Sequence, residues 1–261
     1  MPEGDTVFLA ATRLRRALEG RELTRTDFRI PTLATTDLGG RTVDEVVARG
    51  KHLLFRLSGG ATIHSHFRMQ GSWHVYRPRE RWRGPAFEVR AVLTTEAWLA
   101  VGFRLPVLEV IPTASESDVV GHLGPDLLGP DWDAAEALRR LAAEPERAIG
   151  EALLDQRVMA GLGNIYKCEV CFLRGLHPWT PVGRVVDLSA AVVLSKRLIT
   201  ANKTTGSQIT TGDARHGRQR WVYGRGGEPC RRCRAPIMRA QQGEGTGERV
   251  TYWCPRCQPE I

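Results

Sequence analysis

The sequence predicts an α+β protein: an N-terminal helix on a two-layer β-sandwich, then a helical half and a small metal-bound tail. Three observations carry this. Val7, Ala10, Ala11, Leu14, Ala17 and Leu18 recur at helical spacing. From Leu23 to about Ile111 the pattern is strand-like, with "HLLFRL" and "ATIHSHF" flanking the hairpin signal Ser58-Gly59-Gly60. The tail carries four of the six cysteines as two C-x2-C pairs.

The first helix stops at Gly20 and starts a few residues after Pro2, which anchors the N-terminus. "FEVRAVLTT" and "PVLEVI" continue the strands. Residues 113–130, rich in Pro, Gly, Ser and Asp, read as a linker. Helices are expected at Asp133 to Ala143, Pro145 to Asp155, Ile165 to Arg174 and Ser189 to Asn202. "LLDQRVMAGLGNIYKCEV" joins two of them through Gly161, Gly163 and Asn164. Glycines permit a tight turn, Asn164 is a good N-cap for the next helix, and its free N–H groups suit a phosphate. The alternative is an ordinary helical corner. "KTTGSQITTGDARHGRQR" reads as a polar, basic, mobile loop. The expected division is 1–112, linker 113–130, 131–208 and 209–261.

The net charge is +8, and the segment from Lys203 holds 11 Lys and Arg against 5 Asp and Glu, carrying +6 of it. A surplus so localised points to a polyanion, most often nucleic acid, or else to a solvated face. No stretch approaches the apolar length of a membrane span, and Arg13, Arg15 and Arg16 break any secretory signal. The expectation is a cytoplasmic monomer in which cysteines stay reduced.

Cys230-x2-Cys233 and Cys254-x2-Cys257 are separated by twenty residues, long enough for a β-hairpin between two thiolate pairs. That pattern predicts one structural Zn²⁺, closed to water and supplying the folding energy of a segment too small for its own core. Cys168 and Cys171 form a competing C-x2-C on a predicted helix. With no second pair nearby they read as small buried hydrophobes.

Taken together, "MPEGDTV" at the start, "RGKHLLF" at 49–55, "LLDQRVMAGLGNIYK" at 153–167 and the terminal "RVTYWCPRCQ" resemble the formamidopyrimidine-DNA glycosylase and endonuclease VIII family over essentially the whole chain. The resemblance implies a helix–two-turn–helix DNA-binding module, a zinc finger, and bifunctional DNA glycosylase/AP lyase activity on damaged DNA, duplex or single-stranded. The "PEGD" opening is closer to the endonuclease VIII branch, which removes oxidised pyrimidines. An 8-oxopurine/formamidopyrimidine glycosylase is the alternative within the enzyme class. A non-catalytic DNA-damage-binding protein and a metal-dependent nuclease are the rivals outside it.

Removal of Met1 would leave Pro2 with a free secondary amine. About a tenth of an α-amino group is unprotonated at neutral pH, against roughly one lysine in two thousand. Attack on the sugar C1′ gives an iminium that cannot lose its charge by shedding an N–H, a lasting electron sink. In the family this amine displaces the base and drives strand cleavage. Glu3 is similar to the family's acid/base carboxylate, and Lys51 to the lysine that assists base release and elimination. Asn164 is similar to the residue of the two-turn module that contacts phosphate, and Arg249 to the zinc-finger arginine that grips phosphate and is linked to δ-elimination. In "HSHFRMQGSW", Met69 aligns with the apolar wedge that fills the gap left by a flipped base, with Arg68 beside it; core packing is the other reading of Met69. His122 stands where relatives often carry a DNA-touching arginine.

Overall fold

The computed structural model describes residues 2–260; Met1 and Ile261 lie outside the described residues. The chain divides into two compact units, Met1–His122 and Leu123–Ile261.

In the first unit α1 (Gly4–Leu18) buries Val7, Ala11, Leu14, Ala17 and Leu18 on one face. Asp5 in its first turn and Arg15 and Arg16 in its last complement the helix dipole. Gly20, at φ 72°, ends it where a left-handed residue is needed. Eight strands follow, as the alternation predicts: β1 (Arg25–Phe28), β2 (Val43–Arg49), β3 (His52–Leu57), β4 (Ala61–His66), β5 (Ser72–Tyr76), β6 (Val89–Thr94), β7 (Leu99–Phe103) and β8 (Val107–Pro112). They form two four-stranded antiparallel sheets, ordered β1-β6-β7-β5 and β2-β3-β4-β8. Alternate residues of the two sheets, among them Phe55, Ile63, Trp73 and Leu93, bury a shared core with α1. The Phe55 and Trp73 rings meet at 5.1 Å, and the Trp73 indole N–H donates to Ser65 Oγ, so the core leaves that group satisfied.

The segment expected as a linker is not uniform. Residues 113–115 form a 3₁₀ turn that runs into α2 (Glu116–Val120), and the division between the units falls after His122. Glu116 explains the ordering of its first part. It accepts from Arg56 of β3 at 2.7 Å and from Thr62 of β4 at 2.7 Å, fastening α2 to the sheet.

The second unit contains α3 (Ala134–Ala142), α4 (Ile149–Leu154), α5 (Asn164–Arg174), α6 (Leu188–Asn202) and the hairpin β9 (Met238–Gln242) with β10 (Arg249–Trp253). Asp133 and Asp187 cap α3 and α6 through side-chain oxygens. Gly175, left-handed at φ 69°, ends α5. The helix expected from Pro145 to Asp155 is shorter, because residues before Ile149 pair elsewhere. The Pro145 carbonyl accepts from Gly183, and Ile149 N–H donates to Thr180. Residues 203–220 form neither helix nor strand, yet their first part is fastened: Asn202 bonds Ile209 in both directions. No helix among the described residues is long and apolar enough to cross a membrane.

The helix α5 is buried along most of its length and carries a buried carboxylate, Glu169. That carboxylate accepts from the backbone N–H groups of Trp221, Val222 and Tyr223 at 2.8–2.9 Å and from the Thr210 hydroxyl. Glu169→Ala leaves these donors without an acceptor inside the protein. It should lower stability by about 3 kcal/mol or more, read as a fall in the urea midpoint; a midpoint within error of wild type would show the donors find water instead.

Candidate active site and metal centre

In the first unit, Glu3 is the N-cap residue of α1. Its carbonyl accepts from Val7 N–H at 3.1 Å, its side chain makes no capping bond, and the residue is fully buried. Half-buried Pro2 immediately precedes it. Lys51 lies in the two-residue turn between β2 and β3, where Arg49 pairs with His52. Gly50 takes the first turn position at φ 59°, the backbone that a tight primed hairpin needs. The "RGK" motif is thus a turn that projects a lysine.

Arg68 and Met69 occupy the β4–β5 turn. Arg68 is itself left-handed at φ 48°, and its N–H donates to His66 Nδ1 at 2.9 Å. A Cβ on Gly71 would stand 2.7 Å from the Phe67 carbonyl, so only glycine closes this turn without displacement. Met69 is 62% exposed, which excludes its alternative reading as a core residue.

Lys51 and Arg68 lie beside a histidine cluster. The His52 and His66 rings meet edge-on at 4.8 Å, and His122 lies 6.3 Å from His52. Burial, then His66, His64, His122 and Arg68, push His52 down to about 3. Burial, then Arg68, Lys51 and His64, push His66 down to about 4. Lys51, Arg68 and His122 therefore surround two neutral imidazoles. His52, His64, His66 and Glu109, which pairs with His64 across β4–β8, escaped sequence reasoning. The period-2 pair His64 and His66 was a visible signal, since alternate strand residues share a face. The β3–β4–β8 register that joins them was not.

In the second unit Asn164 is not the helix cap that its residue type suggested. Gly163 takes the extended cap conformation, and Asn164 is the first helical residue, 3% exposed. Its side chain has a competing partner: Nδ2 donates to the Val250 carbonyl on β10 at 2.8 Å. Asn164 is thereby brought beside half-buried Arg249, whose guanidinium donates to the Glu248 carbonyl. Lys167, also unforeseen, is fully buried and reaches Gln242 Oε1 at 3.1 Å and the Thr251 hydroxyl. Gln156 closes the α4–α5 turn, bonding Leu154, Leu162 and Gly161.

The sulfur atoms of Cys230, Cys233, Cys254 and Cys257 lie within 4.8 Å of one another. Cys230 and Cys257 are 3.9 Å apart, and Cys233 and Cys254 3.3 Å. A tetrahedron with Zn–S near 2.3 Å has edges of about 3.8 Å, so the set fits one zinc. Backbone N–H groups of Arg232 and Cys257 turn toward Cys230 and Cys254 sulfurs, as ligating thiolates require. Cys168 and Cys171 are not members of this group of ligands: both are fully buried, Cys168 packs against the Cys230 and Cys254 side of the hairpin, and burial pushes the Cys171 thiol up to about 12.

Family models match three stretches of the chain: Formamidopyrimidine-DNA glycosylase N-terminal domain over 1–103, its H2TH domain over 123–205, and the zinc finger found in FPG and IleRS over 227–259. The chain belongs to the formamidopyrimidine-DNA glycosylase family. Within that family it is 56% identical to a probable endonuclease 8 2 of Streptomyces coelicolor, covering 99% of this chain and 94% of the relative. It is 50% identical to the DNA-(apurinic or apyrimidinic site) lyase Nei2 of Mycolicibacterium smegmatis, covering 99% of both. The fold is that of Lactococcus lactis Fpg in a complex with abasic-site DNA: TM-score 0.81 at 22% identity, over 99% of this chain and 100% of that one. The H2TH match spans α3 to α6 with the α4–α5 corner inside it, and the zinc-finger match spans the β9–β10 hairpin with its four cysteines.

Two outcomes follow for this family member. Zinc analysis should give one metal per chain, lost in Cys254→Ala and kept in Cys168→Ser; the reverse would move the site to α5. The second outcome concerns acid. An unfolded imidazole takes up its proton near pH 6.5, whereas folded His52 and His66 resist until about 3 and about 4. The unfolded state then binds more protons, so stability falls as pH drops from about 6.5 toward about 4 and is flat in these groups above about 7.5. His52→Gln should reduce the loss in urea midpoint between pH 7.5 and 5; an unchanged loss would assign it to other groups.

Proposed function

We propose that this protein is a bifunctional DNA glycosylase/AP lyase that excises oxidised bases, pyrimidines above all, and nicks the strand by β,δ-elimination. One observation carries the reading: a Pro2-Glu3 pair seated at the first turn of α1 in a chain that matches the glycosylase family from end to end. Pyrimidine preference is supported by relatives named endonuclease 8 2, at 48–56% identity, whereas an endonuclease 8 1 of Mycobacterium tuberculosis and a formamidopyrimidine-DNA glycosylase of Heliobacterium modesticaldum stand at 34% and 33%.

With Met1 removed, the Pro2 nitrogen attacks C1′ as the glycosidic bond breaks and the base departs. The sugar ring opens, with Glu3 giving the ring oxygen its proton. The iminium acidifies the C2′ hydrogen. Its loss expels the 3′ phosphate, and a second elimination expels the 5′ phosphate. Lys51 assists base release and the first elimination from its turn. Exposed Met69 fills the space of the flipped base, with Arg68 and His122 at its flank. Arg249 holds phosphate through the last step. Asn164 fixes the strand that bears it, with its remaining amide hydrogen as a phosphate donor. Damaged DNA, in duplex or single strand, is the partner, bound by a monomer in the cytoplasm.

Borohydride should trap the protein on abasic DNA, and a blocked N-terminus that retains Met1 should abolish the adduct. Trapping at native rate by the blocked protein would assign the nucleophile to another residue. Excision from a panel of defined oxidised pyrimidines and purines tests the lesion class. Arg249→Ala should retain trapping, shift products from the δ-elimination gap toward the β-elimination nick, and flatten the salt dependence of binding by roughly one unit of slope. Native affinity with an unchanged product ratio would leave Arg249 a solvated hairpin residue.

A further inference from the structure

The outer face of the β2-β3-β4-β8 sheet carries a polar chain for which the elimination chemistry above has no use. His52 pairs with His66 across β3–β4, and His64 with Glu109 across β4–β8. Glu109 Oε1 lies 2.6 Å from His64 Nδ1, and His64 Nε2 lies 2.8 Å from His52 Nδ1. His64, at the centre, is 2% exposed.

Hydrogen bookkeeping along this chain has one solution for neutral rings. A carboxylate only accepts, so His64 carries its hydrogen on Nδ1. Its Nε2 is then bare and accepts, so His52 donates from Nδ1. The nitrogen left over, His52 Nε2, has a lone pair and no hydrogen. Lys51 precedes His52 in the chain; Lys51 and Arg68 act on His66, and Arg68 and His122 on His52.

A base role for His52 fails on magnitude. Burial and its neighbours hold the ring down to about 3, so transfer from an ordinary lysine ammonium near 10.4 is opposed about ten-million-fold. A hydrogen-bond acceptor is different, since it needs only the lone pair. We propose that Glu109, His64 and His52 form a tautomer-fixing relay that presents an obligate hydrogen-bond acceptor, His52 Nε2, at the edge of the cluster where His66 and Arg68 stand, one residue from Lys51. His52 is then a positioning residue: it orients the donors on that edge, among which Lys51 serves elimination, and does not itself move a proton. This rests on the reading of Lys51 as the lysine of that step.

The relay has a spectroscopic signature independent of activity. In the ¹⁵N-labelled full-length zinc protein at pH 7, long-range ¹⁵N–¹H correlation should show Nδ1–H on both His52 and His64, assigned by peaks lost in His52→Gln and His64→Gln. Nδ1–H is the minor tautomer of free histidine. An Nε2–H His52, or a doubly protonated His64, overturns the relay.

Kinetics test the consequence. In single-turnover cleavage of an abasic duplex, His52→Leu should slow elimination about tenfold, one hydrogen bond's worth, with borohydride trapping intact. His52→Gln, which keeps an acceptor oxygen, should recover most of the rate. Glu109→Leu frees His64 to reverse its tautomer and should reproduce the slowing. A native rate in His52→Leu, or a slowing that glutamine does not rescue, overturns the relay. A wild-type protein that forms no borohydride adduct would instead defeat the lyase reading, and the tautomer measurement would still decide the hydrogen-bond chain.

Discussion

A buried ammonium needs acceptors, and in the second unit this requirement governs the placement of the zinc hairpin. Lys167 projects from α5 with no exposure to water, and its partners are Gln242 on β9 and Thr251 on β10. Leaving such a charge unsatisfied costs several kcal/mol. Thr251 also donates to Gln242, and Gln242 to the Pro178 carbonyl, so the acceptors are themselves held. One turn earlier on the helix, Asn164 grips the Val250 carbonyl. The hairpin can slide on α5 only by breaking these bonds together. Arg249, which pairs with Gln242 across the ladder, has its position set by a lysine 82 positions earlier in the sequence. The cysteine cluster closes the free end of the same hairpin, and Glu169 ties the adjoining basic segment to the helix. Metal and buried polar bonds thus divide the work of ordering a segment with little core of its own.

The first unit uses a different device. Its candidate side chains stand at a helix start and in two tight turns, places where a rigid scaffold ends and the backbone has few alternatives. Gly50 and Gly71 are fixed by conformation and by close approach, and Arg68 adopts a left-handed backbone that non-glycine residues avoid. Beneath these turns burial holds the His52 and His66 imidazoles well below the ordinary histidine range, so neither adds a cation at neutral pH.

Much of this was legible in the residues. Helical spacing marked α1, alternation marked the strands, and two C-x2-C pairs marked the ligands, because each is a local pattern with one dominant physical cause. The short α4 was overestimated, since residues 145–148 satisfy their backbone against residues 178–183, a partner that no window of sequence displays. Asn164 misled for a related reason. Its type favours capping, but a carbonyl on a strand 86 residues later competes for its amide. The histidine chain needed the pairing of three strands before residues 52, 64 and 109 could be seen as one unit. Glu169 and Lys167 were hidden by the prior that charged residues face water, which burial with full hydrogen bonding overrides.

The exposure of Met69 has a chemical consequence. Oxidants that damage bases also convert an accessible thioether to its sulfoxide, turning a flexible apolar side chain into a polar one. Cys168 and Cys171 are shielded by burial, but Met69 is open to the same reagents as the DNA. A residue suited to enter a stacked duplex has to be reachable from solvent, and reachability is what makes it perishable. Under the wedge role proposed for Met69, repair capacity would depend on methionine sulfoxide reduction, because oxidation would strike the side chain that has to enter the duplex.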